Sequence, residues 1–218
     1  YGLVGSEMCI RDSSSTPRYD SHMSVYAVGT DTLTVETINE NFGLIDAANG
    51  DTLTIANTIG GNAQALHGLI NYGLISVSGS GLIDITAGTM AGQTVTVSNF
   101  YNAGWVVDNG GQLNIEATVL DGANTAASST TIDGYIVIEN GGNATLSAGF
   151  ATQEEVTFSG SGNTLSVAQG TLNSGTIAGF TSGDTLEIDG FTSASNITFA
   201  SAGGNTLLTT HNGGTATT

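Results

Sequence analysis

The stretch Asn71-Tyr72-Gly73-Leu74-Ile75-Ser76-Val77-Ser78-Gly79-Ser80-Gly81-Leu82-Ile83-Asp84-Ile85 carries the pattern on which the reading of the whole chain turns. It joins two short runs in which apolar and polar residues alternate, separated by glycine and serine. Alternation sends every second side chain to one face of an extended strand, and Val, Ile and Thr suit a pleated, half-buried surface. The intervening Gly, with Asn or Asp in sister copies, marks a tight turn.

Worked outward, the pattern recurs. Phe42-Gly43-Leu44-Ile45-Asp46 leads to Thr52-Leu53-Thr54-Ile55, Asn102-Ala103-Gly104-Trp105-Val106 leads to Gln112-Leu113-Asn114-Ile115, and Gly134-Tyr135-Ile136-Val137 leads to Ala144-Thr145-Leu146. The leading glycines are Gly43, Gly73, Gly104 and Gly134, at successive spacings of 30, 31 and 30. A shorter period follows. Gly162-Asn163-Thr164-Leu165 returns as Gly183-Asp184-Thr185-Leu186 and as Gly204-Asn205-Thr206-Leu207, with a spacing of 21 from each leucine to the next. Near the start, Asp31-Thr32-Leu33-Thr34-Val35 and Asp51-Thr52-Leu53-Thr54-Ile55 lie 20 apart. No stretch of residues 24–218 sustains a 3.6-residue period, so helix is not expected.

A strand of four or five residues cannot bury its apolar side alone, and a near-constant period lets each strand sit on its equivalent one coil away, about 4.8 Å off. The expected fold is therefore all-β: a parallel β-solenoid of about eight coils with three short strands per coil. An antiparallel β-sandwich is the alternative, since it also shows frequent turn signals. The domain reading takes residues 1–23 as a disordered or artefactual leader outside the fold. Residues 24–150 are read as solenoid with coils of about 30 residues, and 151–218 as its continuation with coils of about 21. The change suggests a rod that narrows.

The leader stands apart in composition. Residues 1–23 hold the single Cys (Cys9), the single Pro (Pro17) and both basic residues, Arg11 and Arg18. Within them, Gly5-Ser6-Glu7-Met8-Cys9-Ile10-Arg11-Asp12-Ser13 resembles a translated sequencing-adapter remnant.

Charge narrows function. The formal net charge is -17, and of the 19 Asp and Glu only Glu7 and Asp12 precede residue 19, after which no Lys or Arg occurs. Such a surface repels phosphate backbones, excluding nucleic acid as a partner, and it lacks the polybasic patch that binds anionic membranes. One cysteine makes no intrachain disulfide. No apolar run is long enough for a transmembrane helix, and no basic-then-apolar signal layout is present.

Asn71–Ile85 resembles the "N-x-G-x-I-x-V-x-G-x-G-x-L-x-I" units of bacterial autotransporter passengers and haemagglutinin-like adhesins. Gly175-Thr176-Ile177-Ala178-Gly179-Phe180-Thr181-Ser182-Gly183-Asp184-Thr185-Leu186-Glu187-Ile188 resembles a repeat of the same large surface proteins. The resemblance spans residues 24–218. It implies a right-handed parallel β-helix, export to the extracellular or outer-membrane surface, and a structural or adhesive role. The chain lacks the family's export signal and membrane-anchoring barrel and is expected to be a piece truncated at both ends. Expected partners are glycans, host or abiotic surfaces, and neighbouring coils of the same larger protein, with no direct membrane insertion.

No catalytic, cofactor-binding or metal-binding residue is assigned, no cofactor is expected, and the chain is read as a non-enzyme. Some β-helices are glycan depolymerases, but lyases of this shape use Lys or Arg, and hydrolases need two carboxylates ~5–9.5 Å apart. Glu154 and Glu155 are adjacent and are expected on opposite faces. Asp184, Glu187 and Asp189 cluster near one turn and read as a solvated acidic turn. Asp31, Asp51 and Asp184 each precede Thr-Leu and read as turn caps rather than a stacked Ca²⁺ site, which would need several oxygens at about 2.3–2.6 Å. His22, His67 and His211 lack metal-ligand spacing. Trp105 takes the slot of Leu44 and Leu74, for which core or groove packing is the expectation. The T-x-T segments at Thr32, Thr52 and Thr94 raise an ice-binding alternative, but Leu82-Ile83-Asp84 and Gln112-Leu113-Asn114 interrupt the rank, and strand propensity accounts for them.

Overall fold

A computed structural model describes residues 20–21, 25–27, 32–35, 40–56, 69–86, 88–89, 96–97, 99–121, 134–150, 154–168, 175–189, 197–202, 205–212 and 215–217. Among them every regular element is a strand. Three parallel sheets of five, seven and seven strands run alongside one another, as the repeat pattern requires and as a sandwich does not.

One turn of the rod visits the sheets in order. Ile70–Asn71 lies in the first sheet, Leu74–Ser78 in the second and Leu82–Thr86 in the third. The quoted stretch is thus almost one complete rung. Stacking is strictly in register: Leu44 lies under Leu74, then Trp105, Tyr135, Glu155 and Thr176. In the third sheet Leu53, Ile83, Leu113, Ala144, Leu165 and Leu186 form the equivalent column.

Alternation decides which side is which. Leu74–Ser78 and Leu82–Thr86 bury every second residue. Ile45, Ile75, Val106, Ile136 and Val156 line the interior from the second sheet. Ile55, Ile85, Ile115, Leu146 and Val167 face them from the third. Leu69, Phe100, Val119 and Phe150 close the third side. Each large apolar side chain so buried contributes about 1.5–3 kcal/mol, and a rung acquires that burial only with its neighbours in place.

Two corners shape each rung. Between the first and second sheets the backbones approach so closely that a Cβ at Gly73 would strike the Gly43 carbonyl oxygen, and one at Gly104 the Gly73 carbonyl oxygen. Between the second and third sheets, Asn140 and Gly141 turn with φ of 55° and 82°. Asn and Gly tolerate that left-handed backbone.

Among the described residues the second and third sheets hold seven rungs, in keeping with a solenoid of about eight coils, and the stack is roughly 29 Å long at ~4.8 Å per step. Three expectations need correction. The eighth sequence repeat, Gly204-Asn205-Thr206-Leu207, does not extend the parallel stack. Asn205–Asn212 pairs antiparallel with Ile197–Ala202 and with Thr215–Thr217. Ala202 pairs with Asn205 and Asn212 with Thr215, and each pair spans a Gly-Gly in the sequence. Two-residue Gly-Gly connections favour hairpins, and local closure costs less chain entropy than a further crossover.

Nor are the longer coils wider in the sheets. The first rung step, Val25 to Ile45, is one of the short ones, yet its strands join the same three sheets, and Asp20–Ser21, within the span read as a leader outside the fold, pairs with Glu40–Asn41 in the first of them. The later steps run from Ile45 to Ile75, Val106, Ile136, Val156 and Ile177, while the step from second-sheet to third-sheet column changes little, from seven positions (Val106 to Leu113) to nine (Val156 to Leu165). The additional residues of the long steps are inserted outside the second and third sheets. In one rung they include the antiparallel pair Gly88–Thr89 with Thr96–Val97, before the first-sheet strand Asn99–Asn102. The stack runs unbroken through residue 150, from Tyr135–Glu139 to Glu155–Ser159.

Because the Gly104 corner has backbone rather than side chain opposite it, Gly104→Ala is expected to lower stability by about 1–3 kcal/mol. Urea midpoints of the variant against the parent chain check this, with Gly160→Ala, where an added Cβ meets nothing within 4 Å but the backbone φ is 85°, as the strain-only reference.

Candidate functional site

The polar interior lies at the first corner. Asn41, Asn71 and Asn102 are fully buried and stack one per rung. Asn41 Nδ2 donates to Asn71 Oδ1 at 2.8 Å, and Asn71 Nδ2 to Asn102 Oδ1 at 3.0 Å. Asn102 Nδ2 donates to Glu154 Oε1 at 3.1 Å. Each amide also serves the backbone: Gly43 N donates to Asn41 Oδ1, and Asn71 Nδ2 to the Trp105 carbonyl. A buried amide left unpaired costs about 1–3 kcal/mol, so a ladder that satisfies each one locks the register. Its sequence signal is Asn-x-Gly before the second-sheet strand, in Asn41-Phe42-Gly43, Asn71-Tyr72-Gly73 and Asn102-Ala103-Gly104. This role was not read from the sequence.

Glu154 and Glu155 face opposite ways. Glu154 is buried at the end of the ladder, while Glu155 is outward and accepts from Thr157 Oγ1 at 2.9 Å. Asp184 caps its corner, accepting from Thr181 N and Oγ1 and from Asn163 N and Nδ2. Desolvation opposes its ionisation, but these hydrogen bonds outweigh it and hold its pKa below the ordinary aspartate value. Glu187 accepts from Ser166 Oγ at 2.8 Å, and Asp189 is exposed further along the same strand. Asp51 is buried, and Gly81, Gly111, Gly142 and Asn163 occupy the same corner position on the rungs between it and Asp184, so the two carboxylates are not brought together. Asp31, His22, His67 and Cys9 lie outside the described residues. His211 is on the antiparallel strand opposite Ala216. Among the described residues no group of three or more His, Cys, Asp and Glu is placed to hold a metal.

The T-x-T rank is two rungs deep in the parallel stack. Thr32 and Thr34 pair with Thr52 and Thr54, and the next rungs carry Leu82 and Asp84, then Gln112 and Asn114. Thr94 and Val95 lie outside the described residues, and Thr96 belongs to the antiparallel pair.

Two carboxylate features were missed. On the outer face of the third sheet, Asp84 sits one rung below Glu116 and two positions along. Burial, and then the charge of Glu116, raise the Asp84 pKa. A raised acid beside a second carboxylate is the pairing acid–base chemistry uses. Only stacking joins two residues a full rung apart in sequence.

Asp108 is the other. It lies in phase with Val106, so its side chain points into the core, between Val77 and Ile138 in the same column. Oδ1 accepts from Gly111 N at 2.8 Å, and Oδ2 is buried without a hydrogen-bond partner. Desolvation pushes its pKa up to about 6, against smaller lowering by the Gly111 and Asn143 backbone N–H groups. Gly142 leaves room for the carboxylate, since a Cβ there would lie 2.9 Å from Oδ1.

Trp105 corrects an expectation. It is 50% exposed and outward, above the half-buried Leu74, because the inward phase of its strand belongs to Val106 and Asp108. Its ring stacks on Tyr135 with centroids 4.8 Å apart, and one corner below, Phe42 stacks on Tyr72 at 4.7 Å.

A folded pKa near 6 against an ordinary value of 3.8 means that the native state holds the Asp108 proton where the unfolded chain has lost it. Its contribution is therefore most favourable below pH 3.8 and is lost as pH rises to about 6, by at most ~3 kcal/mol. Asp108→Asn is expected to match the parent at pH 4 and exceed it at pH 7.5. Urea midpoints across that range measure the difference, which cancels the pH dependence of the other carboxylates.

No family model, curated protein or solved structure matches the chain.

Proposed function

We propose that the chain is a structural and adhesive segment of a large exported bacterial surface protein of the autotransporter or haemagglutinin-like kind, working at the extracellular or outer-membrane surface. The observation that carries this reading is the strict register of the outward columns. Leu44, Leu74, Trp105, Tyr135 and Glu155 recur one per rung, as do Thr54, Asp84, Asn114, Thr145 and Ser166. A rod of this kind displays side chains at about 4.8 Å intervals on a backbone stiffened by hydrogen bonds to both neighbours, which suits multivalent contact with glycans or with host and abiotic surfaces. Its uniform negative charge keeps such rods soluble and apart. The repeat resemblance of residues 71–85 and 175–188 supports the same reading.

Immobilised chain is expected to retain glycan-coated or abiotic beads under flow in proportion to its surface density, whereas a heat-unfolded sample is not. Equal retention by folded and unfolded chain would sink the adhesive role.

A second reading has one specific observation in its favour. The Asp84–Glu116 pair on the outer third-sheet face puts an acid of raised pKa one rung from a second carboxylate, a combination that acid–base cleavage of a glycan would use. Release of reducing ends from neutral polysaccharides, abolished in Glu116→Gln with thermal stability unchanged, is its expected signature. No release across such a panel removes it.

A further inference from the structure

The outward face of the second sheet is not uniformly polar. Leu44, Leu74, Trp105 and Tyr135 make one column over four rungs, and Val107 and Val137 stand beside the last two in the next outward column. Phe42 is 40% exposed, Trp105 50% and Tyr135 36%, the last two on adjacent rungs. Apolar surface this continuous on an acidic rod is where a partner docks, since a soluble chain otherwise gains nothing from exposing it.

Charge selects the partner. Carboxylates bracket the strip: Asp46 in the Val107 column two rungs below it, Glu139 on the Val137 strand, and Glu155 directly above Tyr135. No Lys or Arg follows Arg18. A second copy of this chain would bring like charge to like charge. A neutral sugar would need open ring faces, but Trp105 and Tyr135 cover one face of each other with planes 26° apart, with Leu74 and Glu155 at the same column position on the rungs beyond them, and Phe42 and Tyr72 cover one face of each other at 7°. What remains are ring edges and aliphatic side chains in an acidic frame. We propose that this strip, centred on Phe42, Leu74, Trp105, Val107, Tyr135 and Val137, docks a basic, amphipathic polypeptide segment of a partner protein. Apolar side chains of the partner cover the strip and its Lys or Arg meet the carboxylate rim. The inference deepens the adhesive reading and rests on it, naming a protein rather than a glycan as the ligand of this face.

Trp105 is the only tryptophan, so its emission reports the strip directly. The test titrates the chain with a leucine–lysine amphipathic peptide, with a serine–lysine peptide of equal length and charge, and with a neutral cello-oligosaccharide. The first is expected to shift Trp105 emission to the blue and to bind at least about tenfold tighter than the second, with affinity falling as salt rises. By calorimetry, Trp105→Thr/Tyr135→Thr and, separately, Val107→Lys are expected to weaken that binding about tenfold with circular dichroism unchanged. Should the double variant unfold, Val107→Lys decides. Equal binding of both peptides, an emission shift with the oligosaccharide instead, or full binding by a folded strip variant overturns the proposal. In the bead assay the strip variants are expected to retain glycan-coated beads as the parent chain does, so no retention by the parent overturns the adhesive reading, while the titration alone decides the strip.

Discussion

Every rung of this rod is held by parallel backbone hydrogen bonds to the rungs beside it, and the structure depends on that contact distance. Strands about 4.8 Å apart leave no room for a Cβ where the chain bends sharply between the first and second sheets. The glycines at 73 and 104 answer that constraint, and the asparagines two residues before them answer its consequence, because a corner this tight buries polar backbone that must be paired. Core, ladder and outer columns all inherit their register from the same contacts.

The constraint also explains how insertions are tolerated. Short steps, such as Val25 to Ile45, and long ones, such as Ile45 to Ile75, feed the same sheets because only the strands and corners must match from rung to rung. The described insertion, Gly88–Thr89 with Thr96–Val97, pairs with itself and not with a neighbouring rung. Where the sequence offers Gly-Gly connections, at 203–204 and 213–214, neighbouring strands pair with each other instead of with the rung below.

The rod carries its chemistry in columns. A carboxylate in an outward column, such as Asp84, meets its partner from the next rung; one in an inward column, such as Asp108, meets the core. Both have raised pKa values with burial as the first cause, but Asp84 adds a neighbouring charge on the surface, whereas Asp108 keeps an unpaired oxygen in the interior. The same parity puts Trp105 in solvent. An acidic rod that exposes aromatic edges on one face and polar side chains on another is suited to contact more than one kind of surface.

Much of this was legible in the residues. Alternation in Leu82-Ile83-Asp84-Ile85 and its sisters determined strands with one buried side, and the regular spacing of the leading glycines and of the later leucines determined that equivalent strands stack. A side-chain period of two and a fixed repeat length are local properties of the chain. Parity could also have turned Asp108 inward and Trp105 outward, had each been counted from Val106. The Asn41–Asn71–Asn102 ladder, the Asp84–Glu116 pair and the apolar strip are different. Their members lie a full rung or more apart in sequence, and only stacking brings them within hydrogen-bonding or Coulombic reach. Tertiary structure alone also decided that Leu207 leaves the stack, because a hairpin across two glycines competes there with a further rung, and the repeat motif is the same in either pairing.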